Sequence, residues 1–298
     1  MKRFPDGARV CFIGDSITAA FEYVAHITEY YMENHPDSKI RIYNSGVAGG
    51  TAKMAHTFLK DDTLCHKPTH AYIMFGVNDS MRWSLTEERT EERYDYLVSA
   101  YENYKKDLAA LCDALEAENV EITICTPPPY AEYQAGGEEP YRGGYALMLG
   151  YAQYCRQFAK ERNYPLCDVH SYLAKLMQTE DIYLDDRVHP TPKGQYYIAK
   201  CMLEHQGLLI GEEKPISEKL KELRKVSQVT REIFGAELMV IRNYDLPVEE
   251  KMSFIKNYLK GNIPVPYFRI VSESYLIHKS EQQKYADFTE KLTDELMG

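Results

Sequence analysis

Residues Phe12-Ile-Gly-Asp-Ser-Ile-Thr18 decide the fold, because they join an apolar run to a serine through a glycine. The apolar run Val10–Ile13 predicts a short buried strand, and Ser16 follows Gly14 by two residues. In open α/β sheets, ligands bind in the crevice outside the carboxyl ends of the parallel strands. The stretch therefore predicts a strand that presents a serine to such a crevice.

Strand-like and helix-like segments alternate on both sides of this stretch, through the first 210 residues. Short apolar or alternating segments predict five strands: Arg9–Ile13, Lys39–Tyr43, Ala71–Phe75, Glu121–Cys125 and Pro165–Val169. Helical spacing predicts five helices: Ala20–Asn34, Thr51–Leu59, Glu87–Glu118, Gly144–Arg162 and Pro192–His205. This alternation is typical of a parallel sheet with helices on both faces and right-handed crossovers.

A second unit is predicted to begin near Gly211, so the chain divides into residues 1–210 and residues 211–298. The later part contains five further segments that predict helices and strands: Glu218–Phe234, Glu237–Arg242, Pro247–Leu259, Tyr267–Val271 and Glu281–Met297. The helices are amphipathic and need a partner surface. We expect a C-terminal α/β extension that docks on the main body or on a second copy of the chain, which would make a homo-oligomer.

The charge and the residue composition exclude several classes of partner. The net charge of −10 repels phosphate backbones and anionic lipid head groups, so nucleic acid and membrane surfaces are not expected partners. The chain starts Met-Lys-Arg-Phe-Pro-Asp-Gly without an apolar signal region, and no apolar stretch approaches the ~20 residues of a membrane span. The seven cysteines form no Cys-x-x-Cys pair, which fits a reducing, cytoplasmic location.

Ser16 acquires candidate partners downstream, in Asp186-Arg187-Val188-His189. A serine hydroxyl becomes a useful nucleophile when a base takes its proton, and a carboxylate can hold that base in the right tautomer. The chain order Ser, Asp, His is one of several that build this geometry. Taken singly, Ser16 could instead cap a helix, and Asp186 and His189 could form a solvated loop pair. Asp185 is an adjacent alternative acid.

Two further segments could supply hydrogen-bond donors to a developing oxyanion. Gly46 follows the second predicted strand and offers a main-chain N–H, and Asn78 follows the third and offers its side-chain amide. A tetrahedral oxyanion needs preorganised donors about 3 Å away. Taken singly, either residue could simply form a turn.

The joint pattern is more specific than any of its parts, because all four segments fall in order along the chain. They are Gly14-Asp15-Ser16-Ile17-Thr18, Gly46, Gly76-Val77-Asn78-Asp79 and Asp186-Arg187-Val188-His189-Pro190. This pattern, together with Thr126-Pro127-Pro128-Pro129 after the fourth strand, resembles the SGNH/GDSL hydrolase (esterase/lipase) family over roughly residues 8–205. Ile17 stands where that family often has Leu.

The resemblance implies a flavodoxin-like three-layer α/β/α sandwich with a parallel sheet. It implies Ser16 as nucleophile, His189 as base and Asp186 as the acid that orients it. It also implies an oxyanion hole from the Ser16 N–H, the Gly46 N–H and the Asn78 amide. No family element accounts for residues 211–298.

The resulting expectation is a serine esterase that cleaves small acyl esters, acetyl esters of carbohydrates first, through an acyl-Ser16 intermediate. The alternatives are a lysophospholipase or acyl-thioesterase, and a non-catalytic binding protein on a hydrolase body. No cofactor is expected. No metal site is expected either, because the four histidines considered lack the spacing of ligands: His26, His56, His66 and His70.

The aromatic segment Tyr130–Tyr145 predicts a long loop after the fourth strand. It contains four glycines, a proline and four tyrosines. Such a loop could form a pocket wall or lie on the surface without a role. The helical stretch Tyr94–Leu115 has apolar residues at helical spacing, which predicts a core face.

Overall fold

A computed structural model describes residues 3–85, 90–218, 220 and 221, and within them the chain forms a five-stranded parallel sheet. The strands are β1 (Arg9–Gly14), β2 (Arg41–Gly46), β3 (His70–Met74), β4 (Glu121–Cys125) and β5 (Leu166–Cys167). Their order is β2-β1-β3-β4-β5, which is the flavodoxin-like doubly wound order. Every pairing is parallel, so the predicted α/β fold class is confirmed.

The helices form a layer on each face of this sheet. They are α1 (Ser16–Ala19), α2 (Glu22–Asn34), α3 (Ala52–Thr57), α4 (Leu59–Asp62), α5 (Glu91–Ala117), α6 (Gly144–Arg162), α7 (Val169–Leu176) and α8 (Pro192–His205). The chain crosses from β1 to β2 in one direction and from β2 through β3 to β5 in the other. Right-handed crossovers therefore put α2 and α3 on opposite faces. Accordingly, α2 packs against α8, and α3 packs against α5.

Several predicted elements differ from the structure in their bounds, and three of the differences have a local origin. The helix predicted from Ala20 is interrupted at Phe21, whose φ of 64° is left-handed, so α1 and α2 are separate. The strand predicted over Pro165–Val169 shortens to Leu166–Cys167, because Asp168 caps α7 by accepting from the Ser171 N–H. The core face predicted for Tyr94–Leu115 begins late, because Tyr94 is 69% exposed.

The carboxyl ends of β1 and β2 lie side by side under the first helical turn of α1. Gly14 is in register with Gly46 and with Met74, so three strand ends share one edge of the sheet. A Cβ on Gly14 would lie 2.1 Å from Thr18 Oγ1, and one on Gly46 would lie 2.3 Å from the Ala19 nitrogen. Glycine at these two positions lets α1 sit directly on the strand ends.

The C-terminal extension is described only at its start. The Ser217 N–H donates to Glu29 Oε2 of α2 at 3.0 Å, and Lys214 Nζ lies 3.5 Å from Glu33 Oε2. This part of the chain therefore rests on α2. Residues 222–298, with the helices and strands predicted there, lie outside the described residues, so the division at residue 210 and the docking of the extension stay predictions. No helix among the described residues is long and apolar enough to cross a membrane.

Candidate active site

Ser16 stands at the first position of α1, and its hydroxyl is directed at a histidine rather than at the helix. Asp15 is the residue that caps α1, since its Oδ1 accepts from the Ile17 N–H at 3.0 Å. Ser16 Oγ lies 2.7 Å from His189 Nε2, across 173 residues of chain. Because Asp15 caps the helix, the Ser16 hydroxyl is available for this contact.

Asp186 makes the second contact of His189. The His189 Nδ1–H donates to Asp186 Oδ2, while Asp186 Oδ1 accepts from the Val188 N–H at 3.0 Å and the His189 N–H at 2.9 Å. Partial burial alone would raise the pKa of Asp186. The hydrogen bonds from the His189 ring and from the two N–H groups outweigh burial and hold this pKa below its ordinary value. Asp186 is thus an ionised acceptor near neutral pH.

Asp185 points elsewhere and makes no such contact. Its side chain is exposed, and its main-chain oxygen accepts from the Glu138 N–H at 2.9 Å. The structure therefore brings Ser16, His189 and Asp186 into one hydrogen-bonded chain and leaves Asp185 out of it. That arrangement can remove a proton from Ser16 and stabilise the charge on the imidazole.

The proposed oxyanion donors are placed differently from one another. The Asn78 side-chain amide donates to the Gly50 carbonyl at 3.0 Å, which uses one of its two N–H groups. Gly46 does not fit its predicted role, because its N–H donates to Asn44 Oδ1 at 2.8 Å. Gly46 is required instead by the close approach of α1. Gly50, which accepts from Asn78, lies in the loop after Gly46. In the same loop, Gly49 adopts a left-handed φ of 72°.

Asp79 is a buried carboxylate that sequence reasoning missed. Its Oδ1 accepts from the Ala52 N–H at 2.9 Å and its Oδ2 from the Gly76 N–H at 3.1 Å. Burial raises its pKa to about 7, although these hydrogen bonds favour the charged form. Asp79 thereby ties the loop after β3 to the start of α3 and fixes the backbone on which Asn78 stands. The sequence offered one indication of this role, which is that Asp79 directly follows Asn78.

Arg82 brings positive charge to the same side of the molecule. Its Nη1 donates to the Val77 carbonyl at 3.0 Å, and burial lowers its pKa. The guanidinium interacts electrostatically with Asp15 and Asp186, and with the ring hydroxyls of Tyr130 and Tyr141. Burial raises the pKa of Asp15 to about 6, against the opposing effects of the Ile17 N–H, His189 and Arg82.

The aromatic segment Tyr130–Tyr145 is an ordered loop that packs on the segment carrying Asp186 and His189. Tyr130 is buried, and its hydroxyl accepts from the Tyr141 N–H at 2.9 Å. Glu132 caps α6 by accepting from the N–H groups of Gly143 at 2.9 Å and Tyr145 at 3.0 Å. Within the described ranges, no group of three or more His, Cys, Asp or Glu side chains is arranged to hold a metal ion.

Comparisons with known proteins give a family match and several curated relatives. The profile of the GDSL-like lipase/acylhydrolase family matches residues 12–196. An acetylxylan esterase from Geobacillus stearothermophilus is 27% identical over 219 residues, covering 67% of this chain and 94% of that protein. A mouse (Mus musculus) protein named isoamyl acetate-hydrolyzing esterase 1 homolog is 24% identical over 199 residues, covering 64% of this chain and 78% of its own length.

Solved structures share the fold at lower identity. A gut microbial diltiazem-metabolizing enzyme superposes with a TM-score of 0.81 at 14% identity, covering 100% of this chain and 96% of that one. A catalytic mutant of the Geobacillus stearothermophilus acetylxylan esterase superposes with a TM-score of 0.58 at 24% identity, covering 71% of this chain and 100% of that one. With the family match spanning more than half of its length, the chain belongs to the GDSL-like lipase/acylhydrolase family and is a carboxylic ester hydrolase of the SGNH type.

Proposed function

We propose that the protein is a serine esterase that removes small acyl groups, acetyl first, from carbohydrate esters through an acyl-Ser16 intermediate. His189 accepts the proton of Ser16 as the hydroxyl attacks the ester carbonyl. The protonated His189 then gives this proton to the leaving alcohol, and Asp186 steadies the imidazolium between the two steps. Water releases the acid in the same way, with His189 acting again as base.

The observation that carries this proposal is the continuous chain from Asp186 through His189 to Ser16, with 2.7 Å between Ser16 Oγ and His189 Nε2. A binding protein that had lost catalysis would have no need to keep all three groups in contact. For the oxyanion we propose the Ser16 N–H, the Asn78 amide and the main-chain N–H of Gly49. Gly49 replaces Gly46 because it adjoins Gly50, whose carbonyl meets the Asn78 amide.

Two features support an acetyl ester of a sugar-like alcohol as the substrate. The ordered loop Tyr130–Tyr145 supplies tyrosines next to the triad segment, and aromatic faces with hydroxyl groups suit polar rings. The relative named acetylxylan esterase points to the same class of substrate.

The first experiment replaces Ser16 by alanine and measures ester turnover and labelling by a fluorophosphonate. We expect labelling at Ser16 alone in the unaltered protein, and loss of both labelling and turnover in Ser16→Ala with the melting temperature preserved. Ser84→Ala, which removes a hydroxyl outside the site, is the matched control and should keep both. Labelling at another serine, or an active Ser16→Ala, would refute the assignment.

A second experiment separates the substrate classes. Nitrophenyl acetate and nitrophenyl octanoate differ in the acyl group, whereas acetylated xylo-oligosaccharides and isoamyl acetate differ in the alcohol. We expect higher kcat/KM for the acetyl ester in the first pair and for the sugar ester in the second. Preference for octanoate would favour the lysophospholipase or acyl-thioesterase alternative, and no turnover of any ester would favour a binding protein.

A further inference from the structure

Arg187 lies between the proposed acid, Asp186, and the proposed base, His189, in the sequence. Its side chain forms no hydrogen bond with either of these two residues. It is 5% exposed, and its guanidinium donates, among the residues that the structure describes, to main-chain carbonyls of the segment 131–138. Nε donates to Glu138 O at 2.6 Å, and Nη1 donates to Ala131 O at 3.1 Å and Gln134 O at 2.7 Å. Nη2 donates to Gly136 O, and Nη1 makes a longer contact of 3.5 Å with Glu132 O.

The backbone around Arg187 reinforces this arrangement. The Ala131 N–H donates to the Arg187 carbonyl at 3.0 Å, and Gln134 Nε2 reaches the carbonyl of Tyr183 at 3.4 Å. A Cβ on Gly137 would lie 2.7 Å from the Asp185 carbonyl, so the two segments touch closely. The segments 131–138 and 183–187 are therefore held together along their length, and the Arg187 guanidinium supplies most of the hydrogen bonds between them.

Arg187 carries two energetic costs at this position. It has a left-handed φ of 63°, which an arginine adopts at a steric cost. Its charge is buried without a carboxylate partner in the described part of the chain, which is expensive unless the donors are satisfied. A planar guanidinium with five N–H donors can satisfy several carbonyls at once, and lysine, with three, cannot reproduce the fork.

We propose that Arg187 is a positioning residue that fixes the segment 131–138 as the wall of the alcohol subsite. This inference rests on the proposed function and adds a determinant of leaving-group specificity. The segment is hydrogen-bonded to both neighbours in sequence of Asp186, since the Glu138 N–H donates to the Asp185 carbonyl and Arg187 binds the carbonyls of the segment. Because His189 gives its proton to the leaving alcohol, this segment borders the side on which the alcohol leaves.

The test compares acetates that share an acyl group and differ in the alcohol, methyl acetate and an acetylated xylo-oligosaccharide. Arg187→Met removes every donor, Arg187→Lys keeps the charge, and both keep a non-glycine residue at the left-handed position. Arg162→Met, at an exposed arginine that ends α6 and pairs with Asp113 on the surface, is the matched control. The active fraction of each variant is counted by fluorophosphonate labelling, so that misfolded protein does not enter the rates.

In Arg187→Met we expect the ratio of kcat/KM for the sugar acetate to that for methyl acetate to fall roughly 10- to 100-fold, the usual loss for a displaced positioning group. Arg187→Lys should recover part of the ratio, and Arg162→Met should keep it. Amide hydrogen exchange over residues 131–138 should quicken in the same order. An unchanged ratio, or an equal loss on both acetates, would overturn the proposal. If the unaltered protein hydrolyses no ester, the proposed function fails, and unchanged exchange over 131–138 in Arg187→Met would still refute the contact on its own.

Discussion

The division of work between neighbouring residues organises the site. Asp15 caps α1 while Ser16 meets His189, and Asp185 binds the Glu138 N–H through its carbonyl while Asp186 meets the imidazole. In both pairs, one residue holds the backbone and its neighbour carries the proposed chemistry. A substitution at either member of such a pair therefore has a distinct expected signature.

For the acidic pair, we expect Asp186→Asn to lower kcat by several orders of magnitude. An amide at this position can turn its N–H₂ toward Nδ1 and favour the wrong tautomer, which costs about 10⁴-fold in a serine protease triad. Asp185→Asn should retain most activity, since only its main chain is used. Steady-state kinetics of both variants on nitrophenyl acetate test this expectation. Equal loss of activity in the two variants would contradict the choice of Asp186 as the acid.

For the oxyanion, we expect Asn78→Ala to reduce kcat by roughly 10²–10³, or about 2.7–4 kcal/mol, the usual loss for one donor. KM should change much less, because the hydrogen bond strengthens as the oxyanion forms. Asn78→Asp is a useful companion, since it keeps the size and brings a negative charge toward the oxyanion. A raised KM with kcat preserved would make Asn78 a ground-state binder instead.

The helices and strands that are bounded by glycine or proline could be predicted closely. The predicted bounds of β4, α6 and α8 match the structure, because the strand meets a proline run and the helices start at Gly144 and Pro192. Helix α7 could not be predicted, because Leu166, Cys167 and Val169 look like one apolar strand until Asp168 is seen to cap a helix. Residues 222–298 give no such comparison.

Within the site, the sequence indicated candidate roles for side chains but could not choose among main-chain groups. Ser16, His189 and Asp186 could be proposed from the chemistry of their side chains. The donor glycine could not be chosen from Gly46-Val47-Ala48-Gly49-Gly50, because each glycine offers the same N–H. Only the folded structure shows that the Gly46 N–H donates to Asn44 Oδ1 and that the Asn78 amide meets the Gly50 carbonyl.

The cap of α6 gives a prediction for an element. Glu132 accepts from two main-chain N–H groups at the start of this helix and places a negative charge at its positive end. We expect Glu132→Gln to lower the free energy of unfolding by about 0.5–2 kcal/mol, the usual range for a helix cap. Chemical denaturation measures it, with the exposed Glu139→Gln as control. An unchanged midpoint would show that the cap contributes nothing.

For the whole molecule, buried carboxyl groups and ion-paired carboxyl groups have opposite effects on how the free energy of unfolding depends on pH. Burial raises the pKa of Asp79 to about 7 and that of Asp15 to about 6. The folded protein therefore binds protons more tightly than the unfolded chain between about pH 4 and pH 7. From these two groups, the free energy of unfolding falls as the pH rises through that window and levels off above it.

Asp168 acts in the opposite sense. Partial burial is outweighed by Arg156, whose Nε lies 2.9 Å from Asp168 Oδ2, and by Ser171, so its pKa is lowered to about 2. Its stabilisation is present above about pH 4 and is lost as the pH falls toward 2. Together with Asp186, whose pKa is also lowered, it limits stability on the acid side.

We therefore expect the melting temperature to be highest near pH 4–5 and to decline up to about pH 7. Asp79→Asn should be less stable overall, because its N–H₂ group replaces one of the two oxygens that accept from main-chain N–H groups. Its melting temperature should nevertheless change less between pH 5 and pH 8 than that of the unaltered protein. Asp95→Asn, on the exposed face of α5, should keep the original pH profile. The same pH profile in Asp79→Asn would show that Asp79 is not responsible.

The separation of 173 residues between Ser16 and His189 has a consequence for synthesis in the cell. At a translation rate of about 5–20 residues per second, His189 follows Ser16 out of the ribosome by roughly 10 to 35 seconds. During that interval the nascent chain carries a serine with no base. On the proposed mechanism, hydrolytic activity begins only after His189 has been made, by which time the last strand, Leu166–Cys167, has already been synthesised.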